Sequence, residues 1–466
     1  MADQFDFGLV GLGVMGRNFI LNVADHGFAA IGLDTDPEKV TALKNEAKNG
    51  IVSGTTQAEA FVKSMPRPRK IMLLVPAGAV VDKVIESLLP YLETGDLIID
   101  GGNSYYEDTD RRIQYLSQKK IHFIGAGVSG GAQGARRGPS IMPGGNPAAY
   151  ELIRPVFEAC AAKTIDQKPC VAYMGKNSAG NYVKMIHNGI EYGLMQIIAE
   201  VYDIMNRGLG ISNRALGFTF QEWNKGILQS FLIEITGEIF GKKDEFSKRQ
   251  LVDLILDKAK QKGTGKWTSQ HAMDLGVAIP TIDAAVSMRQ LSALKEDRIK
   301  AEEMYPTVSK SHHSDISIGD LEQTLLFSFI IAYAQGLKQL NVADKELEYG
   351  LSLSTICSIW RGGCIIRARL LEDMMQAFDR NKKLNSLLLD ADFASMLIRA
   401  LPSVTKVLQY AMSNHIPTLT LSASLNYFYS FKSGRLPLNL VQAQRDYFGS
   451  HTYERIDREG VFHTDW

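Results

Sequence analysis

Charge of one sign does not predominate in this chain: 51 Lys+Arg are matched by 51 Asp+Glu over 466 residues. A duplex-binding surface shows a basic excess or stripe and an acidic tail shows a run of carboxylates, so no nucleic acid partner is expected. Long apolar runs are missing as well. The longest, near Leu325 to Leu337, is too short for a bilayer and is broken by Gln335, so no membrane association is expected. The opening residues, Met1-Ala2-Asp3-Gln4-Phe5-Asp6, carry two acids and no basic segment, which argues against a secretory signal and for a cytoplasmic protein. Cysteine is scarce. Cys160, Cys170, Cys357 and Cys364 form no C-x-x-C pair and have no histidine at ligand spacing, so neither a metal site nor a disulfide framework is expected, only buried thiols.

What is present is an ordinary globular composition, 45% hydrophobic and 22% charged. At roughly 150 residues per domain this length predicts two to four domains. From Phe5 to about Tyr173, short apolar runs (Phe7 to Val10, Ala29 to Leu33, Ile71 to Val75, Leu97 to Ile99, Ile121 to Ile124) alternate with helical patterns. Near-continuous apolar strands of this kind fit a parallel sheet covered by helices on both faces. Beyond Gly175 the texture becomes helical throughout, as in Val183 to Met205, Phe246 to Lys262 and Leu321 to Leu340. From Gly434 onward no apolar face is sustained, and the tail needs another surface to lie on. The expected architecture is an α/β Rossmann-type domain (1–176), an all-α domain (177–433) and an extended tail (434–466).

Gly11-Leu12-Gly13-Val14-Met15-Gly16 follows the first apolar strand directly and opens an apolar-periodic segment, Phe19 to Val23. In that context the three glycines suit a dinucleotide: a tight turn at Gly11, close backbone approach to a pyrophosphate at Gly13, and helix-to-strand packing at Gly16, with helix N–H groups offered to phosphate. After the second strand, Asp36 before Pro37 reads as the cap of the next helix, which leaves Asp34 free. Asp34 stands where a carboxylate accepts from ribose hydroxyls, which points to NAD. A 2′-phosphate there would meet a like charge, at roughly 4 kcal/mol per unit charge for about 4 Å and an effective dielectric near 20. NADP is therefore expected to be disfavoured by Asp34.

Further on, Lys184, His187, Asn188 and Glu191 recur at i, i+3, i+4 and i+7. They share one helical face, with Lys184 and Glu191 about 10 Å apart along the axis. Alone, such a stripe is more often a solvated helix surface than a catalytic one.

Read together and in order, the glycine fingerprint, Asp100-Gly101-Gly102-Asn103-Ser104, Gly127-Val128-Ser129-Gly130-Gly131, the segment from Lys184 to Tyr192, Lys262-Gly263-Thr264-Gly265-Lys266-Trp267, and the segment from Arg445 to His451 resemble the 6-phosphogluconate dehydrogenase family from end to end. The fingerprint and the Ser129 turn are shared with the wider β-hydroxyacid dehydrogenases. The resemblance implies metal-free oxidative decarboxylation of 6-phosphogluconate to ribulose 5-phosphate and CO2, in the pentose phosphate pathway and gluconate utilization. It implies Lys184 as the base at the C3 hydroxyl and Glu191 as the acid that protonates the enediol, which asks for a strongly tuned amine and a raised carboxyl pKa. It further implies that Asn103, Ser129, Gly130, Gly131, His187 and Asn188 hold the sugar acid, while Tyr192, Lys262, Thr264, Arg289, Arg445 and His451 hold its phosphate. Arg445 and His451 would come from the tail of the second subunit of a homodimer.

Most relatives known for NADP use carry Asn-Arg-Thr where this chain has Leu33-Asp34-Thr35, and relatives often carry a lysine where it has Pro76 in Val75-Pro76-Ala77. Both departures point again to NAD. Two other readings stand beside this one: a β-hydroxyacid dehydrogenase acting on unphosphorylated substrates, which would not need the phosphate set, and a non-catalytic dinucleotide-binding protein.

Overall fold

The computed structural model describes residues 5–47, 51–261, 263–305 and 315–466. Seven strands, β1 (Phe7–Val10), β2 (Ala30–Leu33), β3 (Val52–Thr55), β4 (Lys70–Leu73), β5 (Leu97–Asp100), β6 (His122–Ser129) and β7 (Ser140–Gly145), form one sheet in the order β3-β2-β1-β4-β5-β6-β7. All neighbours are parallel except β6 and β7. Every residue of β1, β2 and β5 is buried, because helices cover both faces and leave no polar side to the pleat. The strand order reverses between β1 and β4, and ligands of open α/β sheets bind at the carboxyl ends of the strands at that point.

Sequence periodicity finds β1, β2, β4, β5 and the first part of β6. It misses β3 and β7, whose short Val-Ser-Gly-Thr and Ser-Ile-Met-Pro-Gly-Gly stretches lack a continuous apolar run. The antiparallel β7 also departs from the all-parallel expectation.

The rest of the chain is helical. A long helix, Ala179–Asp203, leaves the sheet and runs through the core of the second half against an even longer one, Ile318–Leu347. Its first turn lies directly on the β6 and β7 backbone: a Cβ on Gly180 would stand 2.3 Å from the carbonyl oxygens of both Gly125 and Met142. Glycine there is what lets the helix approach the sheet. The stretch from Phe246 to Lys262, expected to be helical, forms over its described residues 246–261 only one short helical turn, at Leu251–Leu254. Its apolar residues Phe246, Ile255 and Leu256 are exposed, so the helical period has no core to bury against and the marginal helix does not form. All four cysteines are buried free thiols. Among the described residues, no helix is long and apolar enough to cross a membrane.

The tail is ordered. A helix, Leu438–Gly449, is followed by a small hairpin of β8 (Tyr453–Glu454) and β9 (Val461–Phe462). Yet Asp446 is the one residue of that helix that is buried. Leu438, Leu440, Val441, Tyr447 and Phe448 all face outward.

Candidate active site

At the end of β1, Gly11 turns with φ +96°, and a Cβ there would stand 2.6 Å from the Leu74 carbonyl oxygen and 2.8 Å from a Val75 methyl. A Cβ on Gly16 would lie 1.8 Å from the Gly11 carbonyl oxygen, so the helix Val14–Asp25 packs on the turn through hydrogen alone. On Gly13 a Cβ would meet nothing within 4 Å. The helix starts there without a side-chain cap, so its first-turn N–H groups are left to an incoming anion. Val14, Thr35, Pro76, Ala77 and Asn103 are exposed around this corner, and Leu12, Met15 and Val75 pack beneath it. This is a cradle into which a dinucleotide pyrophosphate fits.

The loop carrying Asn103 is fixed from below. Asp100 accepts hydrogen bonds from Gly102 N at 3.0 Å and Ser104 Oγ at 2.6 Å, and Asn181 on the long helix donates to the Gly102 carbonyl at 3.4 Å.

Asp34 is not the free carboxylate that its position suggests. Its Oδ2 accepts from Leu12 N at 2.7 Å, and its Oδ1 accepts from Asp36 N at 3.0 Å and lies 3.6 Å from Lys39 Nζ. Asp36 does cap the next helix, accepting from Glu38 N at 2.9 Å. The Asp34 side chain thus ties down the glycine turn, and Lys39 offsets part of its charge.

The four polar residues of the long helix converge as their spacing predicts. Lys184 Nζ donates to Asn188 Oδ1 at 2.6 Å and lies 3.3 Å from His187 Nδ1. His187 Nε2 lies 3.2 Å from Ser129 Oγ at the end of β6, and Glu191 Oε2 lies 3.9 Å from His187 Nδ1. Lys184, His187, Asn188 and Ser129 are buried and Glu191 partly so. Burial pushes the Lys184 amine below its ordinary range, with Glu191 opposing. It raises the Glu191 carboxyl, with Lys184 and Arg289 opposing. Burial and the neighbouring Lys184 charge hold His187 well below its usual value, so the imidazole is neutral. With Lys184 as ammonium, Nδ1 accepts and Nε2–H donates to Ser129. A buried amine that gives up its proton easily, two turns from a carboxyl that holds its own, is an acid–base pair with roles set by environment.

At the far end, Tyr192 is buried with the Arg289 guanidinium 3.4 Å above its ring, and a Cβ on Gly265 would stand 2.5 Å from that ring. Thr264 opens the helix Thr264–Asp274 directly after Gly263, which has φ +102°. Tyr192, Thr264 and Arg289 are thus brought to one end of the stripe. Gly130 (φ +116°) and Gly131 (φ +62°) form the turn after Ser129, and Gly131 is open on its side-chain face. Lys262 lies outside the described residues. Arg445 and His451 are exposed on the tail, and among the described residues the hydrogen bonds of 434–466 stay within that segment. The single chain does not join them to the Lys184 cluster.

Three supports escape sequence reasoning. Thr268 donates to the Met185 carbonyl at 2.9 Å and locks the crossing of its helix with the long one, where Gly189 leaves room. Trp360 packs edge-on against His187 at 5.5 Å, and Ile365 N donates to Ser129 Oγ at 3.4 Å. The nearby Gly362-Gly363 pair, whose second carbonyl accepts from Ser140 N at 2.8 Å, was the signal available.

Family models place these features in known company. Residues 6–181 match the NAD binding domain of 6-phosphogluconate dehydrogenase, and residues 180–466 match its C-terminal domain. The chain is 49% identical over 98% of both lengths to the 6-phosphogluconate dehydrogenase, NADP(+)-dependent, decarboxylating, of Bacillus subtilis. It is 48% identical over 99% of both lengths to the decarboxylating 6-phosphogluconate dehydrogenase of Lactococcus lactis. A solved structure of the Plasmodium falciparum enzyme, described in complex with its cofactor NADP+ and with its substrate 6-phosphogluconate, superposes with a TM-score of 0.96 at 45% identity, covering 99% of this chain and all of that one. These relatives overturn the expectation of NAD: one is named for NADP(+) and the other is described with NADP+ as its cofactor. The physical reason lies in Asp34, whose carboxylate holds Leu12 N and Asp36 N beside Lys39 and is not a bare charge waiting for a ribose.

Proposed function

The chain belongs to the 6-phosphogluconate dehydrogenase family, and we propose that it converts 6-phosphogluconate to ribulose 5-phosphate and CO2 with NADP as the acceptor, in the pentose phosphate pathway and gluconate utilization. The observation that carries this reading is the buried Lys184–His187–Asn188–Ser129 cluster with Glu191 one turn further along the same helix face.

Residues 1–176 hold the dinucleotide, and residues 177–433, together with Asn103 and the Ser129 turn, hold the sugar acid. The glycine cradle from Gly11 to Gly16, with Thr35, Val75, Pro76, Ala77 and Asn103 at its rim, holds the cofactor, which when bound supplies the hydride acceptor. Lys184 Nζ, neutral when it acts, takes the C3 hydroxyl proton as C3 is oxidised. The ammonium so formed steadies the new carbonyl oxygen and returns a proton to it as the carboxyl carbon departs as CO2. Glu191 then delivers its proton to the carbon that becomes C1 of ribulose 5-phosphate, while the neutral Lys184 takes the proton from the enediol hydroxyl so that the carbonyl re-forms. Asn103, Ser129, Gly130, Gly131, His187 and Asn188 orient the sugar acid, and the neutral His187 bridges Ser129 to the amine. Tyr192, Lys262, Thr264 and Arg289 take the phosphate, where hydroxyls and a fixed guanidinium suit a dianion.

The tail, 434–466, completes the site from a second copy. Its helix presents Leu438, Leu440, Val441, Tyr447 and Phe448 to solvent in the single chain, an apolar surface that calls for a partner. In a homodimer Arg445 and His451 serve the neighbouring subunit's phosphate.

The test is purified protein with 6-phosphogluconate, NADP and NAD, following dinucleotide reduction and CO2 together. Equal yields of both, faster with NADP, are the expected result. Turnover confined to unphosphorylated hydroxy acids would identify a β-hydroxyacid dehydrogenase, and cofactor binding without turnover a non-catalytic binder; either outcome overturns the proposal.

A further inference from the structure

We infer that Asp446, which touches neither substrate nor cofactor in the proposed mechanism, is the positioning residue that presets Arg445 and His451 for the phosphate of 6-phosphogluconate. The inference rests on the phosphate role proposed above for those two residues.

Asp446 is fully buried, the one such residue in a tail otherwise exposed or half-buried. Its two oxygens accept four hydrogen bonds from two separate parts of the tail, the turn after the helix and the segment beyond β9. Oδ1 takes Thr452 N at 2.9 Å and His463 Nδ1 at 2.9 Å, and Oδ2 takes Thr464 N at 3.1 Å and Trp466 Nε1 at 3.0 Å. A single carboxylate therefore gathers the end of the helix, the turn after it and the segment beyond β9. These donors hold its pKa down at about 2, against the burial that would raise it.

The turn it holds is strained. Ser450 has φ 50° and Thr452 has φ 60°, so the residues on either side of His451 are both left-handed without being glycine. Such a pair persists only where the surroundings over-determine it. Asp446 supplies two of the holds, its side chain on Thr452 N and its carbonyl on Ser450 N at 2.9 Å. Between the two strained residues the His451 ring folds back over Gly449, where a Cβ would stand 2.7 Å from Nε2, and meets Phe448 at 5.9 Å. Arg445 is the residue before the carboxylate, braced by Gln442, whose amide in turn donates to the Thr452 carbonyl at 2.6 Å. One anion thus fixes the turn that carries His451 and, through Thr452 and Gln442, is linked to Arg445 before any partner surface is met. That preorganisation saves the ordering of two long side chains on each binding event.

Asp446→Asn keeps the shape but turns one acceptor oxygen into an amide that donates, facing either Thr464 and Trp466 or Thr452 and His463, which are donors already. Steady-state kinetics on the dimeric variant should show KM for 6-phosphogluconate raised about tenfold or more, as for loss of charge-assisted hydrogen bonds. The same kinetics should leave kcat, KM for NADP and any turnover of unphosphorylated gluconate unchanged. Gly449→Ala, which displaces only the His451 ring, should give the same signature, and it carries the test if Asp446→Asn does not fold or dimerise. A loss shared equally by the phosphorylated and unphosphorylated substrates, or no change in either, overturns the inference. Arg445→Ala and His451→Ala separate the two levels of the argument. If they raise KM while Asp446→Asn and Gly449→Ala do not, the positioning role fails; if they too leave KM alone, the phosphate reading fails and takes the inference with it.

Discussion

Lys184 lies directly over Gly127 of β6: a Cβ built on the glycine would stand 2.3 Å from Lys184 Cβ and 2.9 Å from its Cγ. The amine reaches the Ser129 turn because the strand beneath it has no side chain at that point. Gly127→Ala is expected to push the lysine and its helix away from the sheet. Overpacking of this kind costs roughly 1–3 kcal/mol of stability, and a displacement of the base of about 1 Å lowers kcat roughly a hundredfold. Melting temperature and kcat of the variant check both, and an unchanged kcat would show that the base is not held from below.

Lys184→Met separates catalysis from stability. Burial holds the Lys184 amine below its ordinary 10.5. Between that depressed value and 10.5 the unfolded chain binds more protons than the folded one, so wild-type stability rises with pH through this window. Methionine carries no charge in either state and lacks that rise. The variant should be inactive, melt above wild type near neutral pH, and lose this advantage progressively as pH climbs. Calorimetry from about pH 6 to about pH 10 follows the gap; one that widens with pH contradicts the assignment.

Glu191→Gln has the opposite pH signature. Burial raises the Glu191 carboxyl above its ordinary 4.5, so in the window above 4.5 the folded state binds more protons and wild-type stability falls as pH rises. The glutamine variant should gain on wild type across that window and match it below. In its proposed role as the acid that protonates the enediol, Glu191 is expected to contribute about 10²–10⁴-fold to turnover. Its replacement should therefore depress kcat on that scale with KM for 6-phosphogluconate little changed.

Asp34 is expected to act on the glycine turn rather than on one cofactor. Asp34→Ala removes the acceptor for Leu12 N and Asp36 N. Hydrogen bonds to a charged group are worth roughly 1.5–3 kcal/mol, so KM should rise about tenfold for NADP and by a similar factor for NAD. A rise for one dinucleotide alone would assign the carboxylate to specificity.

Hybrid dimers test the shared site. Lys184→Met subunits lack the base and Arg445→Ala subunits lack the phosphate arm, and each homodimer should be nearly inactive. If the tail serves the neighbour, random mixing leaves one intact site in half of the dimers and restores about a quarter of wild-type activity. Mixing without recovery would place Arg445 in its own subunit's site.

Four of the seven strands in full and the first part of a fifth, the glycine turn and the Asp36 cap were legible in the chain because each rests on neighbours a few residues away. So was the convergence of Lys184, His187, Asn188 and Glu191, since 3.6 residues per turn places them on one face wherever the helix packs. The Phe246 to Lys262 segment shows the limit of the same logic, because a period predicts a helix only if a surface exists to bury it. Asp34 shows another. Its partner Leu12 N is 22 residues away, and nothing local says that the turn will fold back onto the carboxylate.

Which face the catalytic stripe would show, and the order of strand, glycine turn and helix, were settled by residue spacing alone, because backbone geometry is periodic and local. Whether that face would be dry, and hence whether an amine would loosen its proton while a carboxyl kept its own, was decided by tertiary packing. Ser129 meets His187 across 58 residues and the Ile365 N–H across 236. Desolvation depends on everything that surrounds a group, and no stretch of sequence contains its own surroundings.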